Sequence, residues 1–382
     1  MNDGEAIALL EAMLRIPSLS GDEGALAAFL VRRMAELGFE ATVDGAGNAV
    51  GRIGHGPQTV VLLGHMDTVP GAIPVRVADG RIYGRGAVDA KGPLAAFIAA
   101  VARLHRAGAL PLRVVVIGCV EEEAPSSRGA HFVVSRYRPD LCIVGEPSGW
   151  DGITLGYKGT LRATLRLEQG AHHSAHATAT AAERACAIWA QISAGAAAFN
   201  QGRTRAFDQL LPALLSIHSG GNGCADWAEL QVNLRLPPDF PPAAATAWLR
   251  EQAPGCETNV LGGTAAWAGP RTTPLHRALA RAIRAQGGTP RFLVKTGTAD
   301  LNLLAPAWGC PALAYGPGNA ALDHTPDEHM VLAEYLRGIA VLEHTLQTCA
   351  QDAARQAGAQ LSGAPLDSPP VPVPAGQIAV IH

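Results

Sequence analysis

Short apolar runs alternate with stretches of helical apolar spacing through the first 160 positions of the chain. Residues 40–43, 50–53, 59–63, 113–120 and 141–144 read as strands, and 6–14, 23–37, 92–107 and 129–137 as helices. The run at 113–120 is nearly pure Val, Ile, Gly and Cys, the pattern of a strand buried on both faces. Strand–helix alternation of this kind predicts an α/β fold, a mixed but largely parallel sheet wrapped by helices.

From about residue 156 the pattern changes. Residues 161–167 alternate as a half-buried strand, a helix is expected at 180–194, strands at 214–218 and 229–236, and a helix at 243–252. Two helices against a small antiparallel sheet predict an inserted α+β domain. The expected organisation is a catalytic domain at 1–158, the insertion at 159–264 and a return to the catalytic domain at 265–348, with a helix at 274–286, strands at 291–294 and 312–315, and a last helix at 328–346. Beyond Cys349 the chain is rich in Ala, Pro, Gly and Ser, so 349–382 is expected to be a mobile tail.

Composition narrows the class. The 382 residues are 48% hydrophobic and 16% charged, ample for a large core. A net charge of −3 offers no basic footprint for nucleic acid. Seven scattered cysteines without a CxxC pair suit small buried thiols in a reducing compartment. The start Met1-Asn2-Asp3-Gly4-Glu5 is acidic, unlike a secretory signal, and no apolar run approaches the roughly 20 residues that span a bilayer. A cytoplasmic protein without a membrane partner is expected.

The chemistry gathers where strands end. His65, the Glu122-Glu123 pair, Glu146 and His324 each follow an apolar β-rich run, and Asp89 opens a helix after Gly84-Arg85-Gly86. Ligands of open α/β sheets collect outside the carboxyl ends of strands. Each residue has a plainer reading alone: Asp89 as a helix cap, His65 as a satisfied core histidine. Three adjacent acids, Glu121 to Glu123, at the mouth of a buried strand repel one another unless cations or protons intervene. Five oxygen and nitrogen donors delivered to one edge therefore point to a dinuclear hydrolytic site. Asp67, two residues beyond His65, is placed to orient that imidazole.

Gly64-His65-Met66-Asp67-Thr68-Val69-Pro70, the Gly-Arg-Gly-x-x-Asp-x-Lys-Gly segment at 84–92, Glu122-Glu123 and Gly145-Glu146-Pro147 together resemble the ArgE/DapE/aminoacylase family of dinuclear zinc amidohydrolases. The resemblance implies a zinc-exopeptidase-like catalytic domain interrupted by a dimerising lid. It implies one divalent ion on His65, Asp89 and Glu146 and another on Asp89, Glu123 and His324, zinc first and cobalt also accommodated. It further implies Glu122 as general base, Asp67 behind His65, and a cis peptide after Asp89. In such enzymes a lid histidine stabilises the oxyanion within a Gly-x-x-His-x-x-x-Pro pattern. Gly170 to Ala177 matches apart from its last position, with His173 the best fit and His172 and His176 the alternatives. Arg235 falls where the family has a substrate-carboxylate arginine, and Asn302 where many relatives carry another arginine.

Within the family, Val120 to Ala130, Gly156-Tyr157-Lys158-Gly159 and 295–302 are similar to the amino-group carrier protein hydrolases. That branch implies release of lysine, ornithine or both from the C-terminal glutamate of a small acidic carrier protein, by a homodimer in lysine and arginine biosynthesis. Such a substrate predicts an arginine-bearing groove, with Arg162, Arg166, Arg203 and Arg205 as candidates. A small-molecule N-acyl amino acid deacylase or dipeptidase is the rival within the fold. A non-catalytic binding protein is the rival outside it, disfavoured because every ligand and base position is filled.

Overall fold

A computed structural model describes residues 1–173, 177–362 and 379–381. The chain forms two compact units. The first comprises Met1–Gly156, Gly269–Val294 and Leu303–His382, and the second Tyr157–Ala268 and Lys295–Asn302. The segment Lys295–Asn302 thus belongs with the insertion, although it lies some thirty residues beyond the boundary expected at 264.

The first unit is built on a mixed sheet in the order Glu40–Val43, Ala49–Ile53, Arg113–Cys119, Thr59–His65, Leu141–Gly145, Ala312–Ala314, Gly152–Tyr157, Arg291–Lys295, Ala379–Ile381. Its centre is parallel: Thr59–His65 pairs with both Arg113–Cys119 and Leu141–Gly145, and the last pairs with Ala312–Ala314. The register sets His65 opposite Cys119 and Gly64 opposite Gly145, so these strands finish at one level.

The helix Lys91–Arg106 covers these strand ends and is buried along almost its whole length. Glycine permits the approach. A Cβ on Gly145 would lie 2.8 Å from the Phe97 ring, and one on Gly64 3.3 Å from Leu94 Cβ. The helix start, with Asp89 just ahead of it, is thereby drawn over the ends of the strands.

Two expectations near the C-terminus are corrected. The last helix is Leu332–Ser362, so it begins later and runs further than 328–346. Its late start reflects a strand, His329–Val331, which pairs with Arg81–Tyr83. Its long continuation follows from Ala, Gln and Arg at 351–360, good helix formers that no proline interrupts before Pro365. The tail expected to be mobile from 349 therefore opens as helix, and Ala379–Ile381 adds an edge strand beside Arg291–Lys295.

The second unit is a four-stranded antiparallel sheet, ordered Leu211–Gly221, Ala225–Leu236, Gly159–Gly170, Glu257–Thr264. One face buries Leu161, Leu165, Leu230 and Val232 against Ile188, Ile192 and Leu249 of the helices Ala181–Phe199 and Pro242–Gln252. The alternation of buried and open positions along Gly159–Gly170 is the period-two pattern of a sheet with one covered face.

Candidate metal centre

Four of the five candidate ligands converge within the first unit. His65 Nε2 lies 3.1 Å from Asp89 Oδ1. His324 Nε2 lies 3.0 Å from Asp89 Oδ2 and 2.8 Å from Glu123 Oε1. Asp89 therefore stands between two imidazoles and turns one oxygen toward each. Donor atoms of His65, Asp89 and Glu123 all fall within 4.8 Å of one another, close enough to share a metal ion. The fifth candidate, Glu146, is buried immediately beyond Leu141–Gly145, and the Gly64–Gly145 register sets it beside His65. The His65 side chain is 1% exposed and that of His324 is 49% exposed, so the cluster opens to solvent on the His324 side. The Asp89–Ala90 peptide is cis.

Asp67 faces Nδ1 of His65 with both its main-chain oxygen and its carboxylate. Nδ1 lies 3.0 Å from the Asp67 main-chain oxygen and 3.4 Å from its carboxylate. A carbonyl oxygen only accepts, so Nδ1 carries the proton and Nε2 faces the cluster. The Asp67 carboxylate also organises the glutamates. Its Oδ1 accepts the Glu122 N–H at 3.1 Å, and its Oδ2 accepts the Glu123 N–H at 2.9 Å and the Ser20 hydroxyl at 2.7 Å. Glu121, in the left-handed region at φ 56°, turns the chain so that both N–H groups reach Asp67.

The electrostatics describe an anionic site. Burial opposes protonation of His65, yet hydrogen bonds to Asp67 and Asp89 and the charge of Glu122 hold its pKa well above the usual imidazole value. Hydrogen bonds to Asp89 and Glu123 push His324 up to about 10. Burial raises the Asp89 pKa, but His324 and His65 outweigh it and keep the carboxyl ionised. Two imidazoles drawn toward the cationic form by surrounding carboxylates fit a donor set built around positive charge. Neutral imidazole nitrogens and carboxylate oxygens are the ligands that borderline divalent ions take.

Sequence reasoning missed three supporting residues. Ser20 is one. Lys91, buried, donates to the carbonyls of Met13 at 3.3 Å and Ile16 at 2.8 Å, and burial lowers its pKa to about 8. Glu328, also buried, accepts the Val88 N–H at 2.9 Å and the Asp89 N–H at 3.2 Å. Lys91 stands in the 84–92 motif, but no local signal gives the role of any of the three, because each partner is remote in sequence.

The remaining candidates lie in the second unit. His172 and His173 are exposed and line a cavity with Gln169, Glu183 and Asp226, whereas His176 falls outside the described residues. Arg235 Nη1 donates to Thr298 Oγ1 at 3.1 Å, and that hydroxyl donates to the Lys158 carbonyl at 2.9 Å. Asn302 holds main-chain carbonyls of its own unit. It is buried, and its amide N–H groups point at the carbonyls of Ala265, Lys158 and Tyr157 at 2.8, 3.2 and 3.3 Å. Its Oδ1 accepts from the Ala299 N–H at 3.1 Å. Three of the four candidate groove arginines are also engaged within the unit. Arg203 grips Asp239, Arg205 grips Asp208, and Arg166 lies over Trp227 near Glu229, while Arg162 is exposed.

A mixed sheet whose parallel centre delivers imidazole and carboxylate donors to one edge, with a glutamate pair beside them, defines a hydrolase of the metallopeptidase class. More narrowly, the chain matches Peptidase family M20/M25/M40 over residues 61–348, and it belongs to that family. It is 48% identical over 344 residues to the LysW-lysine hydrolase of Deinococcus radiodurans, covering 88% of this chain and 95% of the relative. It is 28% identical over 284 residues to the LysW-lysine/LysW-ornithine hydrolase of Saccharolobus solfataricus, covering 74% and 79%. Among solved structures, an M20 family metallo-carboxypeptidase from Sulfolobus solfataricus has the same fold, with a TM-score of 0.78 at 20% identity over 92% of this chain and all of that one. No helix among the described residues is long and apolar enough to cross a membrane.

Proposed function

We propose that this chain hydrolyses the amide joining lysine, or ornithine, to the C-terminal glutamate of a small acidic amino-group carrier protein. The observation that carries this reading is the 48% identity, over nearly the whole chain, to the LysW-lysine hydrolase of Deinococcus radiodurans. His65, Asp89, Glu123, Glu146 and His324 are the proposed ligands of two divalent ions, zinc or cobalt, with Asp89 shared. When bound, such ions polarise the amide carbonyl and lower the pKa of water.

Glu122 is the proposed general base. It accepts a proton from the attacking water and returns it to the departing amino group, so the C–N bond breaks and a neutral amine leaves. Its main-chain N–H on Asp67 fixes where its carboxylate begins, and its charge is felt at His65. His173 is the proposed donor to the developing oxyanion, and Arg235 the proposed contact to a substrate carboxylate. The edge strand Leu211–Gly221 exposes Leu215 and Ile217, a surface suited to a homodimer contact in the second unit. All seven cysteines are free, in keeping with a reducing cytoplasm.

The deciding experiment measures turnover of carrier-linked lysine, carrier-linked ornithine and acetylornithine side by side with defined added metals. The expected result is hydrolysis of a carrier-linked substrate, lost on chelation and restored by zinc or cobalt. Efficient turnover of acetylornithine alone would replace this reading with a small-molecule deacylase.

A further inference from the structure

Asp89 occupies the pivotal place in the cluster, yet it does not belong to the strands that deliver His65 and Glu146. It sits on a turn, and glycines at 84 and 86, both at positive φ, make that turn pliable. Something must fix it. Glu328 Oε1 accepts the main-chain N–H groups of Val88 and Asp89 at 2.9 and 3.2 Å. Its Oε2 accepts from Arg85 Nη1 at 2.8 Å, and Arg85 Nε in turn donates to the Gly71 carbonyl at 3.0 Å. The Glu328 main-chain oxygen accepts the Gly84 N–H at 3.4 Å, and the following strand His329–Val331 pairs with Arg81–Tyr83. One fully buried side chain thus grips the turn at both ends, and it lies four residues beyond His324, the imidazole that meets Asp89 from the other side.

We infer that Glu328, backed by Arg85, is a positioning residue: it sets where the Asp89 carboxylate stands and thereby the affinity of the site for a divalent cation. Burying a carboxylate without partners is costly, so its retention here implies that its three donors compensate for lost water. Three hydrogen-bond partners of its side chain, Arg85, Val88 and Asp89, fall within five residues, so a change at Glu328 acts on the turn that carries Asp89. Groups that orient metal ligands in this way commonly govern affinity about as strongly as 10–100-fold.

The inference rests on the metal-dependent reading above, and its test keeps the two separable. Zinc affinity is measured on chelator-stripped protein by competition with a chromophoric chelator, alongside thermal melting of the stripped form. Glu328→Ala removes the acceptor. The double variant Arg85→Met/Glu328→Gln keeps an oxygen for the two N–H groups and removes the charge pair together. The wild type is expected to bind zinc tightly, Glu328→Ala about 10–100-fold more weakly, and the double variant within about threefold of wild type. A wild type that binds no divalent ion would end the metal-dependent reading itself. With a binding wild type, the inference is overturned by Glu328→Ala of unchanged affinity, or by a double variant weakened beyond threefold. If Glu328→Ala does not fold, Glu328→Asp decides instead: its shorter side chain withdraws the acceptor from the Val88 and Asp89 N–H groups, so a loss of zinc affinity of about tenfold is expected and unchanged affinity overturns the inference.

Discussion

The two units place polar residues in opposite contexts. In the first, acids and imidazoles stand at the ends of strands buried on both faces, such as Leu141–Gly145, where every residue is buried up to Glu146. In the second, polar residues line one side of a sheet whose strands alternate between covered and open positions. A carboxylate closing a wholly apolar strand is anomalous and asks for a charge partner. An arginine or histidine on an alternating strand or its adjoining loop is ordinary. The contrast explains why the candidate ligands stood out from residues alone, while Arg235, His173 and Asn302 drew attention only through family resemblance.

The sharpest way to break this contrast is Glu122→Gln. Turnover is expected to fall by about 10²–10⁴-fold, the usual contribution of a general base, with metal stoichiometry unchanged. Activity near that of the wild type would move the chemistry away from these strand ends.

Acid should distinguish the units next. His276 is fully buried in the first unit on the helix Pro274–Ala285, and burial pushes its pKa down to about 4. The described histidines of the second unit, His172, His173 and His218, are all exposed. The unfolded chain protonates this imidazole near pH 6.5 and the folded chain only near 4, so the unfolded state binds more protons in between. Stability therefore falls as pH drops through that window, by up to about 3 kcal/mol. Hydrogen exchange at pH 7 and pH 4.5 should register opening of the first unit before the second, and His276→Leu should flatten the acid limb. Equal acid sensitivity in that variant would assign the effect elsewhere.

Asn302→Ala tests what that asparagine holds. Stranding several carbonyls is expected to lower stability by about 1–3 kcal/mol in thermal or denaturant unfolding, with the KM of the folded fraction unchanged. A raised KM without loss of stability would return Asn302 to the substrate. Ser20→Ala should have the smallest effect. Asp67 keeps both glutamate N–H groups, so a loss of about 0.5–1.3 kcal/mol is expected, less than about tenfold in kcat.

Much of the fold was legible because strongly periodic segments declare themselves. Glu40–Val43 and the helix Pro242–Gln252 were located to within a residue. The strands Gly152–Tyr157 and Glu257–Thr264 were not, since glycine, threonine and asparagine dilute their hydrophobic pattern. The helix Leu301–Trp308 was hidden by Pro306 within it. In the site, residue types and strand ends revealed the ligand candidates, but Ser20, Lys91 and Glu328 depend on partners 47, 75 and 240 residues away. Contacts of that range are set by tertiary packing and leave no periodic trace.

The level at which the parallel strands finish carries a consequence for how this chain tolerates change in length. Side chains alternate sides along a strand, so deleting one residue from 59–64 or 141–145 would turn His65 or Glu146 to the opposite side or shorten its reach. Insertions in the connections, for instance beside the exposed Gly108, leave the pairing undisturbed. Length variants should accordingly survive between the strands and be lethal to activity inside them, a pattern that a scan of single-codon deletions would reveal.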